Sequence, residues 1–429
     1  VLQRIIFGEN AAELKGFLKR RNALDAGVEH SVKDILQNVR ENGDQAVRNY
    51  VKQFDKVKLS SFMVSQAEIQ DALKEVEPSL MAILEKSAAN IRRFHEHELE
   101  KSFFYEQEHG VIIGQKISPM ERALLYIPGG QAAYPSSVLM NVIPAQVAGV
   151  DEIYLTSPCN SEGKVNPVVL AAAHLLGVEN IYKLGGAHAV GAFAYGTESI
   201  PKVDIISGPG NKYVAMAKKL VFGEVTIDSI AGPSEIAVIA DQQANPEFIA
   251  LDLFSQAEHD QDASAVLITP SKELADKVDR AIAELLPKMS RKAWIEVALQ
   301  KNSAIILTKD INEACQASNM IAPEHLEVQT AEPWSHLSKL KHAGAIFLGA
   351  YSSEPIGDYY AGPNHTLPTS GTARFFSPLS TRDFMKRSSI ISYTREMLMH
   401  TGEEIATFAD SEGLEAHAEA VRIRLRTKS

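Results

Sequence analysis

Five short words in this chain hold side chains that exchange protons or bind metal near neutral pH. Gln256 and His259 stand three apart in Ser255-Gln256-Ala257-Glu258-His259-Asp260, a spacing that projects both from one helix face. An amide oxygen and an imidazole nitrogen can both ligate a metal, although the same pattern suits a polar helix terminus. In Ala322-Pro323-Glu324-His325 the proline fixes a turn and disfavours helix for Ala322. That turn sets a carboxylate beside an imidazole, either a proton-transfer pair or a solvated loop pair. Gly357-Asp358-Tyr359 and Gly362-Pro363-Asn364-His365 offer Asp358 as a ligand and His365 as a substrate contact, or else a surface turn. His417, in Leu414-Glu415-Ala416-His417, is a lone helical histidine of the kind that is usually structural.

Other candidates carry less. His95-Glu96-His97-Glu98 lacks the His-Glu-x-x-His spacing that puts two imidazoles on one face, and reads as a solvated helix surface. Cys159 and Cys315 have no neighbouring basic motif to lower a thiol pKa. Three glycine turns, Pro128-Gly129-Gly130, Gly185-Gly186 and Gly208-Pro209-Gly210-Asn211, each follow a predicted strand. Glycine lets backbone approach a phosphate, and helix N-termini supply N–H donors. None matches Gly-x-Gly-x-x-Gly or a P-loop, so ordinary turns and a nucleotide crevice both stay open.

The positioning elements alternate. Short apolar runs at 124–127, 152–156, 180–184, 203–207 and 236–240 read as strands, separated by helical stretches at 136–149, 167–176, 188–195 and 211–222. A second array follows. Its helices are 246–259, with Asn245 as N-cap and Pro246 in the first turn, 271–286 and 311–320; its strands are 265–269, 304–308, 326–329 and 345–348. Strand–helix alternation predicts α/β architecture with parallel sheets and helices on both faces, with ligands beyond the carboxyl ends of the strands. Residues 1 to 110 and the last fifty read as helical, and 349–379 as a long irregular functional loop or arm.

The chain has 429 residues and a net charge of −11. A net acidic surface without a basic tract argues against nucleic acid and anionic membranes as partners. Two cysteines exclude a disulfide scaffold and fit a reducing compartment. No apolar run reaches a membrane-spanning length, and no signal-peptide pattern opens the chain. The expected location is cytoplasmic.

Taken together, seven words resemble L-histidinol dehydrogenase: Leu125 to Gly130, Gly208 to Asn211, Ala231 to Glu235, Ser255 to Asp260, Ala322 to His325, Gly357 to His365 and Leu414 to His417. The likeness, in order and spacing, runs through essentially the whole chain. It implies two incomplete Rossmann-like parallel-sheet domains plus small helical N- and C-terminal segments. The implied boundaries are 1–25 for the N-terminal helical segment, 26–121 with 235–378 for one α/β domain, 122–234 for the NAD-binding domain, and 379–429 for a dimerisation arm.

The resemblance also implies one Zn2+ per subunit on Gln256, His259, Asp358 and His417, with Glu324 and His325 as the acid–base pair. Substrate contacts fall on Ser234, Gln256, His259, His325, Asp358, Glu412 and His417, joined by His365, and NAD contacts on Tyr126, His188 and Asn211. The family has glutamine at position 188. Neutral imidazole offers one donor and one acceptor on a rigid ring, so His188 puts that NAD contact in question. The implied reaction takes L-histidinol through the aldehyde to L-histidine, the last steps of histidine biosynthesis. Oxidising an alcohol to a carboxylate removes four electrons, which requires two NAD. The implied partner is a second copy of the chain, with Glu412 and His417 serving the other subunit's site. A dehydrogenase of another small polar alcohol, a zinc hydrolase and a solute-binding protein are the rival readings, and only dehydrogenases generate NADH.

Overall fold

In the computed structural model the described residues are 2–9, 13, 14, 16, 17, 26–129 and 133–427. Gly130 and much of the expected N-terminal helical segment 1–25 lie outside them. The chain divides into two units, 1–98 with 120–384, and 99–119 with 385–429.

In chain order the strands begin with β1 (Gln3–Ile6), β2 (Phe103–Glu106), β3 (Ile112–Pro119), β4 (Arg122–Tyr126) and β5 (Glu152–Thr156). Then come β6 (Asn180–Tyr182), β7 (Ile205–Ser207), β8 (Thr226–Ile227), β9 (Glu235–Ala240) and β10 (Ser264–Thr269). The last are β11 (Ala304–Leu307), β12 (His325–Gln329), β13 (Ala345–Leu348) and β14 (Met385–Ser392).

The first unit contains two parallel sheets. One has the order β6-β5-β4-β7-β8, the other β1-β11-β10-β9-β12-β13. Central strands such as β9 and β10 are buried along their whole length, as parallel strands covered on both faces must be. The predicted strands and helices of both arrays are present, with ends shifted by one or two residues in most cases. Asn245 caps its helix as expected, its side chain accepting from Glu247 N–H at 2.9 Å, with Pro246 in the first turn.

Packing decides where the N-terminal helices belong. In the helix Ala26–Phe54, Val28, Val32, Leu36 and Val47 share a core with Leu124 on β4, Ile206 on β7 and Phe193 on the helix Gly186–Tyr195. Residues 26–54 therefore pack with the 122–227 layer, whereas the expected division grouped 26–121 with 235–378. The six-stranded sheet has a core on each face. Helices Pro246–Ala257, Lys272–Leu285 and Lys292–Asn302 cover one, and helix Ile311–Ile321 covers the other. The helix Lys292–Asn302 was not foreseen.

Three expectations of helix fail. Residues 3–6 form strand β1, which pairs in parallel with β11. In the second unit, β2 and β14 flank β3 in an antiparallel sheet, where helical termini were expected. β-branched and aromatic residues such as Phe103, Phe104, Ile390 and Ile391 favour this pleated state. The helices Arg395–Ser411 and Glu415–Arg426 complete that unit and match the helical reading of the tail. Among the described residues no helix is long and apolar enough to cross a membrane.

A buried ion pair braces the turn after β7. Lys218 and Asp228 pair while almost fully buried. Lys218 Nζ also donates to Gly208 O at 2.9 Å, and Gly208 N donates to Asp228 Oδ2 at 2.9 Å. The backbone of one residue is thus gripped on both sides by the pair. Gly208 has φ +110°, and a Cβ there would collide with the Tyr126 carbonyl, so only glycine fits. Removing one partner leaves the other charge buried and alone. Lys218→Met should therefore cost about 3–5 kcal/mol in urea unfolding, and adding Asp228→Asn should recover part of that loss.

Candidate active site

The two sheets of the first unit meet a shared cavity with opposite edges. Its volume is about 670 Å3. Pro128 and Gly129, beyond the carboxyl end of β4, and Pro209 to Asn211, beyond that of β7, line one side. β4 and β7 are neighbours at the point where strand order reverses, where open α/β sheets bind ligands. The other side is lined by Ser234, just before β9, by Glu324, just before β12, and by His325, the first residue of β12. That is the amino edge of the six-stranded sheet. The helix Pro246–Ala257 follows β9 and returns to this edge, bringing Gln256 into the lining, with His259 just past its end rather than within it as expected. The carboxyl-end expectation therefore holds for one sheet only.

Backbone geometry places the Glu–His pair. The helix Ile311–Ile321 ends at Ala322 in a left-handed conformation, φ 49°, and Pro323 prevents its continuation. Pro323 O and Glu324 O then accept from Gly344 N and Ala345 N, tying the turn to the start of β13. Neighbouring β9 supplies the decisive contacts. Glu235 N donates to Glu324 Oε2 at 2.8 Å, and Glu235 O lies 3.0 Å from His325 Nδ1. A carbonyl can only accept, so Nδ1 carries a proton. His325 Nε2 is buried without a hydrogen-bond partner among the described residues. It lies 3.8 Å from Asp358 Oδ1 and 3.9 Å from Glu354 Oε1.

Burial sets the proton affinities. Glu324 is pushed up to about 8 by desolvation, against the pull of His325 and the Glu235 N–H. Desolvation alone would lower His325, but Glu324, Asp358 and Glu354 outweigh it and hold the ring at about 10. Asp358 is desolvated too, yet the His325 ring facing it and the nearby His365 keep it well below the ordinary carboxylate range. His259 and His365 are both lowered, chiefly by burial. The Cys159 thiol is pushed up to about 11 by burial, which does not suit a nucleophile.

These donors fit a metal such as zinc. Asp358 is ionised, His259 is held toward its neutral form, and Gln256 Oε1 is buried without a hydrogen-bond partner. Those are the states in which carboxylate, imidazole and amide oxygen ligate. Among the described residues, His325, Glu354 and Asp358 also bring one ligand atom each within 4.8 Å of one another. Glu354 was missed by sequence reasoning. Its position four residues before Asp358 was the available signal. Glu235 was missed as well, and no signal existed, because its backbone does the work. Arg291, a further lining residue, donates to Glu258 O at 3.1 Å.

Of the expected site residues, the cavity collects Asn211, Ser234, Gln256, His259, Glu324, His325, Asp358 and His365. Tyr126 and His188 are not among the lining residues. Tyr126 is buried, its hydroxyl accepting from Gly186 N at 3.0 Å. His188 is buried with its ring centroid 5.8 Å from that of Tyr50 and 5.9 Å from that of Phe54. Both its ring nitrogens lack a partner among the described residues, and burial lowers its pKa to about 4. Glu412 and His417 are exposed on the second unit, at the end of the helix Arg395–Ser411 and within the helix Glu415–Arg426. His95, expected on a solvated face, is buried, with Nδ1 2.6 Å from Glu98 Oε2 and Nε2 3.3 Å from Asn364 Nδ2.

Comparison with known proteins places this arrangement. Residues 18–425 match the family model described as Histidinol dehydrogenase. A histidinol dehydrogenase of Chlorobium chlorochromatii is 60% identical over 421 residues, covering 98% of each chain. One from Aquifex aeolicus is 53% identical over 413 residues, covering 96% of each. The crystal structure of histidinol dehydrogenase from Elizabethkingia anophelis aligns with a TM-score of 0.94 at 38% identity, covering 99% of this chain and 98% of that one.

The acid at position 324 has a consequence for stability. Its ordinary pKa is 4.5 and its folded value about 8, so across that window the folded chain holds the extra proton. Stability therefore falls as pH rises through it. Glu324→Gln removes the titration while keeping an oxygen to accept from Glu235 N–H. The metal-free variant should melt above its parent near pH 9, with the gap closing toward about pH 5 in thermal scans.

Proposed function

The chain belongs to the histidinol dehydrogenase family, oxidoreductases of histidine biosynthesis, and from that premise we propose how its residues divide the work. The observation that carries the assignment is the Glu235 carbonyl at His325 Nδ1, which leaves Nε2 as the basic nitrogen facing Asp358. Zinc would be held by Gln256, His259 and Asp358, with the partner subunit's His417 as a further ligand. When bound, it supplies an electrostatic anchor for the amine and imidazole of histidinol. An oxygen and nitrogen ligand set suits a zinc that also meets substrate. The 122–234 layer would hold NAD, which would supply the hydride acceptor for each oxidation.

The chain's own groups then move protons. His325 Nε2 accepts the hydroxyl proton as the carbinol carbon is oxidised. That role needs a neutral ring, and zinc held by Asp358 would offset part of the carboxylate charge that raises the proton affinity of His325. Glu324, poised near pH 8, accepts a proton from the water that adds to the aldehyde. His325 accepts again in the second oxidation. Ser234 and His365 line the same cavity and orient the substrate.

The NAD contacts follow from the turns. Asn211 lines the cavity and caps its helix, accepting from Tyr213 N at 3.0 Å and Val214 N at 3.2 Å. Tyr126 still has its hydroxyl proton to donate while accepting from Gly186 N. His188, neutral and lodged against Tyr50 and Phe54, is the weakest member of the set.

A dimer with shared sites is the assembly we propose. In support, the second unit exposes Phe103, Phe104, Ile391 and Phe408, each more than half accessible, an apolar surface of the kind that subunit contacts cover.

Two experiments test this. L-Histidinol with excess NAD should yield about two NADH per substrate; chelation should abolish turnover and zinc should restore it. Absence of NADH from a folded, zinc-loaded protein would reject the substrate. Inactive Glu324→Gln and His417→Asn proteins should regain activity when mixed under conditions that exchange subunits, because each hybrid dimer then holds one intact site. No recovery from verified hybrids would place His417 in its own subunit's site.

A further inference from the structure

β12 presents its side chains alternately to two sides. Leu326 and Val328 join the core covered by the helix Ile311–Ile321. His325, Glu327 and Gln329 point the other way, toward the helix Pro246–Ala257, and all three are buried. Apolar side chains would fill that face at lower cost, since buried charge is expensive even when paired. The polar residues form a closed cluster instead. Gln329 Nε2 has two hydrogens, one donated to Asp252 Oδ2 at 2.7 Å and one to Glu327 Oε2 at 2.8 Å. Gln329 thereby holds the buried Asp252 and Glu327 carboxyls side by side, an arrangement that favours one of them keeping a proton. Glu327 Oε1 accepts from Glu354 N at 2.8 Å.

Each corner stands beside a site residue. Asp252 is one helical turn before Gln256 and two before His259. Glu327 is two residues from His325 on the same strand. Glu354 opens the short turns, Glu354–Ile356 and Gly357–Ala361, that carry Asp358. The cluster therefore joins the three separate segments that deliver those groups.

We propose that Asp252, Glu327 and Gln329 are positioning residues: their hydrogen-bonded triangle sets the spacing between the elements that bring Gln256 and His259, His325, and Asp358 together. Hydrogen bonds fix distance and direction, whereas apolar contact is non-directional and tolerates sliding. Burial raises both Asp252 and Glu327, so the pair shares a proton. The inference rests on the reading of Gln256, His259 and Asp358 as metal ligands.

The test compares Glu327→Gln with Glu327→Met in the full chain, with Asp358→Asn as control. The readouts are zinc retention against a competing chelator, kcat, KM for each substrate and thermal midpoint. The amide keeps a donor for Asp252 and an acceptor for Glu354 N–H, so Glu327→Gln should stay close to the parent. Glu327→Met should lose roughly tenfold or more in zinc retention and kcat, with KM for NAD unchanged. A methionine variant with parental zinc retention and kcat, whatever its midpoint, would overturn the proposal. So would equal impairment of both variants. If the methionine variant does not fold, Gln329→Met takes its place, and parental zinc retention and kcat there would overturn the proposal equally. Zinc retained by Asp358→Asn would instead reject the ligand assignment, and the kcat comparison would still decide whether the triangle positions His325.

Discussion

The site hangs on the backbone of one residue. The N–H of Glu235 holds Glu324 and its C=O holds His325, so one residue of β9 orients both side chains. Because β9 and β12 are hydrogen-bonded neighbours in register at Ile236 and His325, the ladder that builds the sheet also sets these contacts. The tautomer of His325 follows from that ladder rather than from any side chain. Substitution at Glu235 would leave both bonds formally available, which is why a backbone-anchored pair tolerates sequence change that a side-chain-anchored pair would not.

Two parallel sheets facing one cavity with opposite edges give it two characters. The carboxyl edge of the five-stranded sheet ends in glycine turns and the start of the helix Lys212–Val221, which suits a ligand rich in phosphate. The amino edge of the six-stranded sheet meets the end of the helix Pro246–Ala257 and offers side chains that titrate or ligate. The two sides of the cavity are thereby built from different elements. The two sides are nevertheless braced alike, each by buried charge. Lys218 and Asp228 grip the Gly208 backbone behind one, and Asp252, Glu327 and Gln329 join three segments behind the other.

Much of the site was legible because its words are local. Gln256 and His259 lie three apart across the end of one helix, Glu324 and His325 are adjacent, and Asp358 and His365 share one irregular stretch. The misses have physical causes. The edge strand β1 and the antiparallel strands β2, β3 and β14 carry weak periodicity and depend on partners distant in sequence. His95 sits in a run of charge that reads as solvent-facing, yet Glu98 and Asn364 satisfy its ring in the interior.

By itself the sequence determined the alternation of strands and helices, the glycine turns, the capping of helices and the residue types that could do chemistry, because these depend on near neighbours and on hydrophobic period. Tertiary structure alone decided which edge of each sheet faces the cavity, that Glu235 clamps the Glu324–His325 pair, that Glu354 stands beside Asp358 and His325, and that Glu327 is a buried acid rather than a surface charge. Each of those depends on strands and helices far apart in the chain packing together. Burial, and with it the proton affinity of every group in the site, exists only once they have done so.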